Sequence, residues 1–286
     1  MRRNTAGWGS GMLGVVIFSG SLPATRVAVG SFSPLFLTAA RAVIAAALAA
    51  ALLSMLRQAR PARGDLASLA IVALGVVVGF PLLTALALQH VTSAHSIVFI
   101  GLLPLATALF GVLRGGERPK PAFWLFSGVG SLAVAGFALS QSGSASLAGD
   151  LLMVLAILLC GLGYAEGATL SRRLGGWQVI SWALVLALPV MAVVALVTMP
   201  DVWTGIGASG WIGLGYVSVF SMLVGFVFWY RGLALGGIAG VGQLQLLQPF
   251  IGLTLAGLLL GEPVAWTMIA VTGLVVLCVA GAKRFA

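Results

Sequence analysis

Charge is what this chain has least of. Only 7% of its 286 residues are Asp, Glu, Lys or Arg, where a soluble domain carries about a quarter. Hydrophobic residues make up 60% and the mean hydropathy is +1.14. No water-soluble fold hides that much apolar surface, because a domain of this size still exposes a large area. The surrounding medium is therefore lipid. Acidic residues are scarcest, six in all, and no carboxylate pair, metal-ligand cluster, nucleophile elbow or phosphate loop is written anywhere in the chain. Catalytic residues, a cofactor and a bound metal are accordingly not expected. The two cysteines, Cys160 and Cys278, stand alone in different apolar runs, which leaves them as small packing residues with no disulfide or CxxC role. Strict alternation of apolar and polar residues is missing too, as "AVIAAALAAALL" illustrates, so a lipid-facing β-barrel is excluded.

Long apolar runs separated by short polar punctuation remain, and in hydrocarbon these must be helices. The pattern predicts ten spans, near 8–29, 34–56, 66–88, 93–113, 121–140, 150–170, 178–198, 211–230, 239–260 and 265–282. Thirteen of the fifteen Lys and Arg residues then fall on one side of the membrane if both termini are cytoplasmic. The net charge of +9 is thus the positive-inside bias of a multi-pass inner-membrane protein and not a nucleic-acid footprint. Arg26 and Arg41 are the two exceptions, both in the outer half of the first hairpin. Trp8, Trp124, Trp177, Trp203, Trp211, Trp229 and Trp266 sit at predicted span ends, where an indole anchors at the interface. Glycine pairs four apart, such as Gly7–Gly11 and Gly75–Gly79, predict close helix crossings.

The chain repeats itself at an offset of 145 residues. Leu102, Pro104, Leu113, Gly116 and Glu117 match Leu247, Pro249, Leu258, Gly261 and Glu262. The offset carries the fourth span onto the ninth, across five spans, and an odd shift inverts the copy in the membrane. Inverted repeats are a mark of alternating-access carriers. "LLPLATALFGVLRGGERP" and "LLQPFIGLTLAGLLLGEPV", in the fourth and ninth spans, resemble the paired EamA units of the drug/metabolite transporter superfamily. Residues 1–140 and 148–284 would be the two units. Within the superfamily the layout looks like the YddG-type aromatic amino-acid exporters. The resemblance implies an all-α carrier of two inverted five-helix halves that exports small amphipathic metabolites, amino acids among them.

The residues supply candidates of their own. Pro104 and Pro249 remove a backbone donor near mid-span and free the carbonyls of Ile100 and Gln245, which suits hinges beside a cavity. Gln245 and Gln248 share a helical face next to Pro249, with Gln243 nearby. Their amides offer donors and acceptors to a zwitterion without net charge. His95 with Phe99, Phe80 with Thr84, and Tyr164 with Cys160 form further faces that fit an apolar pocket with few polar groups; packing and interhelical hydrogen bonding are the plain alternatives. His95 and Glu166 are the candidates for proton coupling. Glu117 and Glu262 stand where new helices begin and read as N-terminal caps. The expected partners are a small-molecule substrate and the bilayer, with the chain a monomer. The competing readings are a proton-coupled exporter of lipophilic cations, which needs a membrane-embedded carboxylate, and, from another class, a lipid-modifying enzyme or a passive channel.

The orientation is directly testable. In intact cells a membrane-impermeant thiol reagent is expected to label Asp201→Cys, in the loop 199–210 between predicted spans, and to reach Arg60→Cys only after permeabilisation. The reverse pattern would invert the topology.

Overall fold

The computed structural model describes residues 2–116, 118, 120–140, 146–283 and 285. All regular structure among them is helical. Glu117 lies outside the described residues, as do 141–145, where the boundary between the two units was expected.

Seven described stretches have the length and apolarity to cross a membrane: Ala6–Val29, Pro34–Met55, Arg63–Ala87, Ser93–Gly115, Leu147–Leu174, Gly176–Val197 and Ala208–Gly236. Leu247–Leu260 and Trp266–Cys278 are shorter apolar helices, and Pro121–Ser140 is the helix at the remaining predicted position.

Several of these stretches are composite. The first consists of α1 (Arg2–Ser19) and α2 (Ser21–Val29), broken at Gly20. α3 spans Pro34–Met55 without interruption; the Ser33 hydroxyl accepts the Phe36 N–H at its start and proline occupies the first turn. The third stretch opens with a 3₁₀ turn, Arg63–Asp65, and continues as α4 (Leu66–Val72), a π-helical segment Ala73–Gly79 and α5 (Phe80–Ala87). α6 (Ser93–Ile100) and α7 (Leu103–Gly115) follow, then α8 (Pro121–Ser140). The second half contains α9 (Leu147–Leu174) and α10 (Gly176–Val197). After them come α11 (Ala208–Gly215), a π segment Tyr216–Val224, α12 (Gly225–Gly236), α13 (Ile238–Gly242), a 3₁₀ turn Gln243–Leu246, α14 (Leu247–Leu260) and α15 (Trp266–Lys283).

Both prolines stand in the first turn of a new helical segment, not in the middle of a continuous one. Pro104 follows the break between α6 and α7, where the amides of Gly101 and Leu102 tighten onto carbonyls three residues back, at 3.1 and 2.9 Å. Pro249 opens α14 after the 3₁₀ turn. A missing proline N–H costs least in a first turn. Past these helices, Gly116 and Gly261 take left-handed backbone, φ 68° and 63°, a conformation costly for residues with a Cβ.

The helix partners are the same when the two halves are exchanged. α1 packs on α12 as α9 packs on the α4–α5 stretch; α7 packs on α9 as α14 packs on α1; α3 pairs with α10, α6 with α14 and α8 with α15. Small residues permit the tightest of these crossings. A Cβ on Gly232 would stand 2.7 Å from the Gly11 nitrogen, and one on Gly75 would stand 2.6 Å from the Leu159 carbonyl oxygen and 2.9 Å from the Gly163 Cα. These obstacles are backbone and cannot yield as a flexible side chain can. Trp229 departs from the interfacial reading. α12 continues to Gly236, so Trp229 is nearly two turns inside its helix and fully buried.

Gly75→Ala is expected to cost about 1–3 kcal/mol by overpacking, read as a lowered Tm in detergent. Gly9→Ala, which meets nothing within 4 Å, is the neutral control.

Candidate functional site

A small central cavity lies where the helix breaks converge. Its walls come from both halves: Phe18 and Leu22 beside the Gly20 break, Val76, Phe80 and Pro81 from the third stretch, Leu103 at the start of α7, Tyr164 of α9, Phe226 of α12 and Gln248 of α14, with Ser21, Arg41 and Ser221 closing one side. Its volume is about 20 Å³, room for a single water. A small-molecule site needs about 300 Å³ or more, so the cavity as it stands is too small to admit one.

The apolar wall is an aromatic cluster. Tyr164 packs with ring centroids 5.4 Å from Trp229, 5.9 Å from Phe226 and 6.4 Å from Phe18, while Phe18 and Phe226 meet edge to face at 4.9 Å. Gln245 is fully buried and lies against the Tyr164 hydroxyl, yet neither amide atom attains hydrogen-bond geometry. Gln248 is 7% exposed; its Nε2 reaches the Phe18 carbonyl at 3.5 Å and its Oε1 has no partner.

The polar side is built by the break and by a π segment. α2 begins at Ser21, and the π turn carries Ser221; their hydroxyl oxygens are 2.7 Å apart. Arg41 donates from Nη2 to Ser221 Oγ at 3.2 Å, and its Nε has no partner. Tyr216 Oη donates to the Ile17 carbonyl, which the break would otherwise leave open.

The predicted candidates separate into three groups. Phe80, Tyr164 and Gln248 line the cavity, Gln245 backs Tyr164, and Pro104 and Pro249 each adjoin a lining residue. Thr84 is turned onto its own helix, donating to the carbonyls of Phe80 and Pro81. His95 and Phe99 are outside the cavity lining: His95 Nε2 is 2.7 Å from Asp150 Oδ1 and its ring packs on Phe99 and Phe137. Glu166 is also elsewhere, held by Arg114 Nε at 2.7 Å. The partner is not one of the arginines nearby in sequence, Arg172 and Arg173; Arg173 donates to Asp65 at 2.6 Å. Arg41 was legible as a basic residue inside a span but was not placed in the site.

Two sets of polar ties therefore bracket the cavity. At one end Glu262 accepts the N–H groups of Ser93 and Ala94 and the Ser93 hydroxyl at 3.2, 2.8 and 2.7 Å. Arg26 stands 3.8 Å from the same carboxylate and donates to the Leu88 carbonyl. Glu262 thus caps α6, across the molecule, and not the helix that follows it in sequence. At the other end are the Arg114–Glu166 and Arg173–Asp65 pairs.

The sequence pattern of the EamA-like transporter family matches residues 6–139 and again 147–282. The chain belongs to this family. A relative in Bacillus subtilis (strain 168), "Uncharacterized transporter YdeK", is 66% identical over the full length of both chains. In Synechocystis sp. (strain ATCC 27184 / PCC 6803 / Kazusa), "Uncharacterized transporter sll0355" is 29% identical over 142 residues, 48% of this chain and 43% of that one. A crystal structure with 20% identity covers 99% of this chain and all of its own with a TM-score of 0.73, which shows a shared fold. This EamA-family transporter is a multi-pass membrane protein, and its family implies a small-molecule substrate.

Glu262 neutralises otherwise unpaired amides at a helix start. Glu262→Ala is expected to cost about 1–3 kcal/mol, measured as a lower thermal midpoint. An unchanged midpoint would show that water replaces the carboxylate.

Proposed function

We propose that this transporter exports small amphipathic metabolites across the bacterial inner membrane, amino acids including aromatic ones foremost, by alternating access. The observation that carries the reading is the central cavity, lined from both halves by aromatic rings together with one uncharged amide, hydroxyls and one guanidinium. An amphipathic solute has chemistry to satisfy on both sides of such a site. Ties at both ends with a closed cavity between them fit an occluded step of the cycle.

The full architecture belongs to the same proposal: ten transmembrane helices, two inverted five-helix halves of residues 1–140 and 148–284, and both termini cytoplasmic. The recurrence of one offset supports it. Gly116 and Gly261 are left-handed, and the two π segments end at Gly79 and Val224, each pair 145 residues apart. Pro104 and Pro249 would act as hinges where the helices are already broken. Transport would be facilitated, since no carboxylate lines the cavity among the described residues. Glu166, the residue a lipophilic-cation exporter would need, is paired with Arg114 away from it.

Purified protein in liposomes without an ion gradient is expected to exchange labelled phenylalanine, methionine or threonine with saturable kinetics. Tyr164→Ala should raise the half-saturation concentration for phenylalanine about threefold to tenfold through lost aromatic contact. Silence across the amino-acid panel, with cationic dyes moving under a pH gradient, would overturn the substrate assignment.

A further inference from the structure

We infer that Arg41 is the anchor for a carboxylate on the transported molecule, an inference that rests on the transporter reading and names the substrate's charged group. Arg41 is 5% exposed and, among the described residues, is the only charged one lining the cavity. The four ion pairs among the described residues use Arg26, His95, Arg114 and Arg173. Arg41 has no counter-ion in any of them. A guanidinium taken out of water requires an opposite charge or a full set of acceptors, and here a serine hydroxyl at 3.2 Å is one acceptor while Nε has none.

The surroundings offer more donors than the protein uses. Ser21 and Ser221 share one hydrogen bond at 2.7 Å in which either oxygen can be the donor. Whichever donates, the other hydroxyl keeps a hydrogen to give. That O–H and the guanidinium together present the donor set a carboxylate accepts. Gln248 Oε1, unpartnered on the same cavity, can accept from an ammonium. The aromatic rings of Phe18, Tyr164 and Phe226 line the same cavity. The chemical class follows: a monocarboxylate with an apolar or aromatic body, for which an amino group is accommodated and not required.

The test compares three probes of one shape, L-phenylalanine, L-phenylalaninamide and 3-phenylpropionate, binding to the purified full-length protein in detergent. The two carboxylates are expected to bind about tenfold or more tightly than the amide. Arg41→Gln should remove that preference and Arg41→Lys retain part of it. A residue that only braced α3 against the π segment would affect all three probes alike. Equal binding of acid and amide by the wild type, or an undiminished preference in Arg41→Gln, overturns the anchor, and amino-acid counterflow would then still sustain the proposed function. Arg41-dependent binding of 3-phenylpropionate with no amino-acid exchange keeps the anchor and removes amino acids as substrates. Should Arg41→Gln fail to fold, the wild-type comparison of acid with amide decides alone, since indifference to the carboxylate refutes the assignment.

Discussion

Hydrocarbon supplies no hydrogen bonds, and this architecture depends on that constraint. A helix break is tolerable in lipid only where protein or trapped water attends to the freed backbone groups. The breaks at Gly20, at Gly101–Leu102 and at Gln243–Leu246 all border the buried centre. At the Gly20 break the answer is a side chain, Tyr216 donating to the Ile17 carbonyl; further polar side chains bond to backbone within the helices, Tyr230 to the Gly163 carbonyl and Ser19, Thr107 and Ser218 each back one turn. Glu262 does the same service for donors, meeting the opening amides of α6. Irregular backbone and polar side chains are therefore concentrated in one place, and the central cavity lies there.

Much of this was legible in the sequence. Apolar runs gave away the helices because a lipid-spanning segment has almost no compositional freedom. Proline and glycine at a shared offset revealed the repeat because backbone constraints survive where side-chain identity drifts. What escaped the sequence depended on tertiary geometry. The π segments carry no residue signature, so the positioning of Ser221 beside Ser21 could not be read locally. Glu262 had the composition of a cap, but its helix is 169 residues away. Trp229 looked interfacial because its helix runs farther than its apolar stretch. Thr84 and His95 had the polarity expected of site residues, and the fold satisfies both elsewhere, one on its own backbone and one on Asp150. Arg41 was visible as an anomaly of charge; only its burial against Ser221 gives the anomaly an address.

The crossings and the ties divide the work of holding the molecule together. Glycine-lined contacts such as α1 on α12 are close, apolar and without directional bonds, so they can pivot with little penalty. The end ties are few and directional: the Arg26–Glu262 ion pair and the His95–Asp150 contact on one side, the Arg114–Glu166 and Arg173–Asp65 ion pairs on the other. Arg26, Arg114 and Arg173 are partly exposed at 39%, 44% and 65%, and pairs with one partner in water contribute modestly. In the proposed alternating access it is these ties that would have to open at one end while the core between them stays packed.

An unbalanced charge inside hydrocarbon is also an electrical element. Arg41 stands seven residues beyond Pro34 on α3, about 10 Å along the helix axis, so it sits within the transmembrane field. That field is worth about 2.3 kcal/mol per elementary charge per 100 mV for a full crossing, and any tilt of α3 moves the guanidinium through a fraction of it. Under the proposed anchor the empty site carries a full positive charge; a bound monoanion would cancel it, whereas a bound zwitterion would leave it in place. Under that reading the voltage across the membrane would do work on the unloaded carrier, and on the loaded one according to the net charge of its cargo, so that membrane potential would help set how fast the cycle resets.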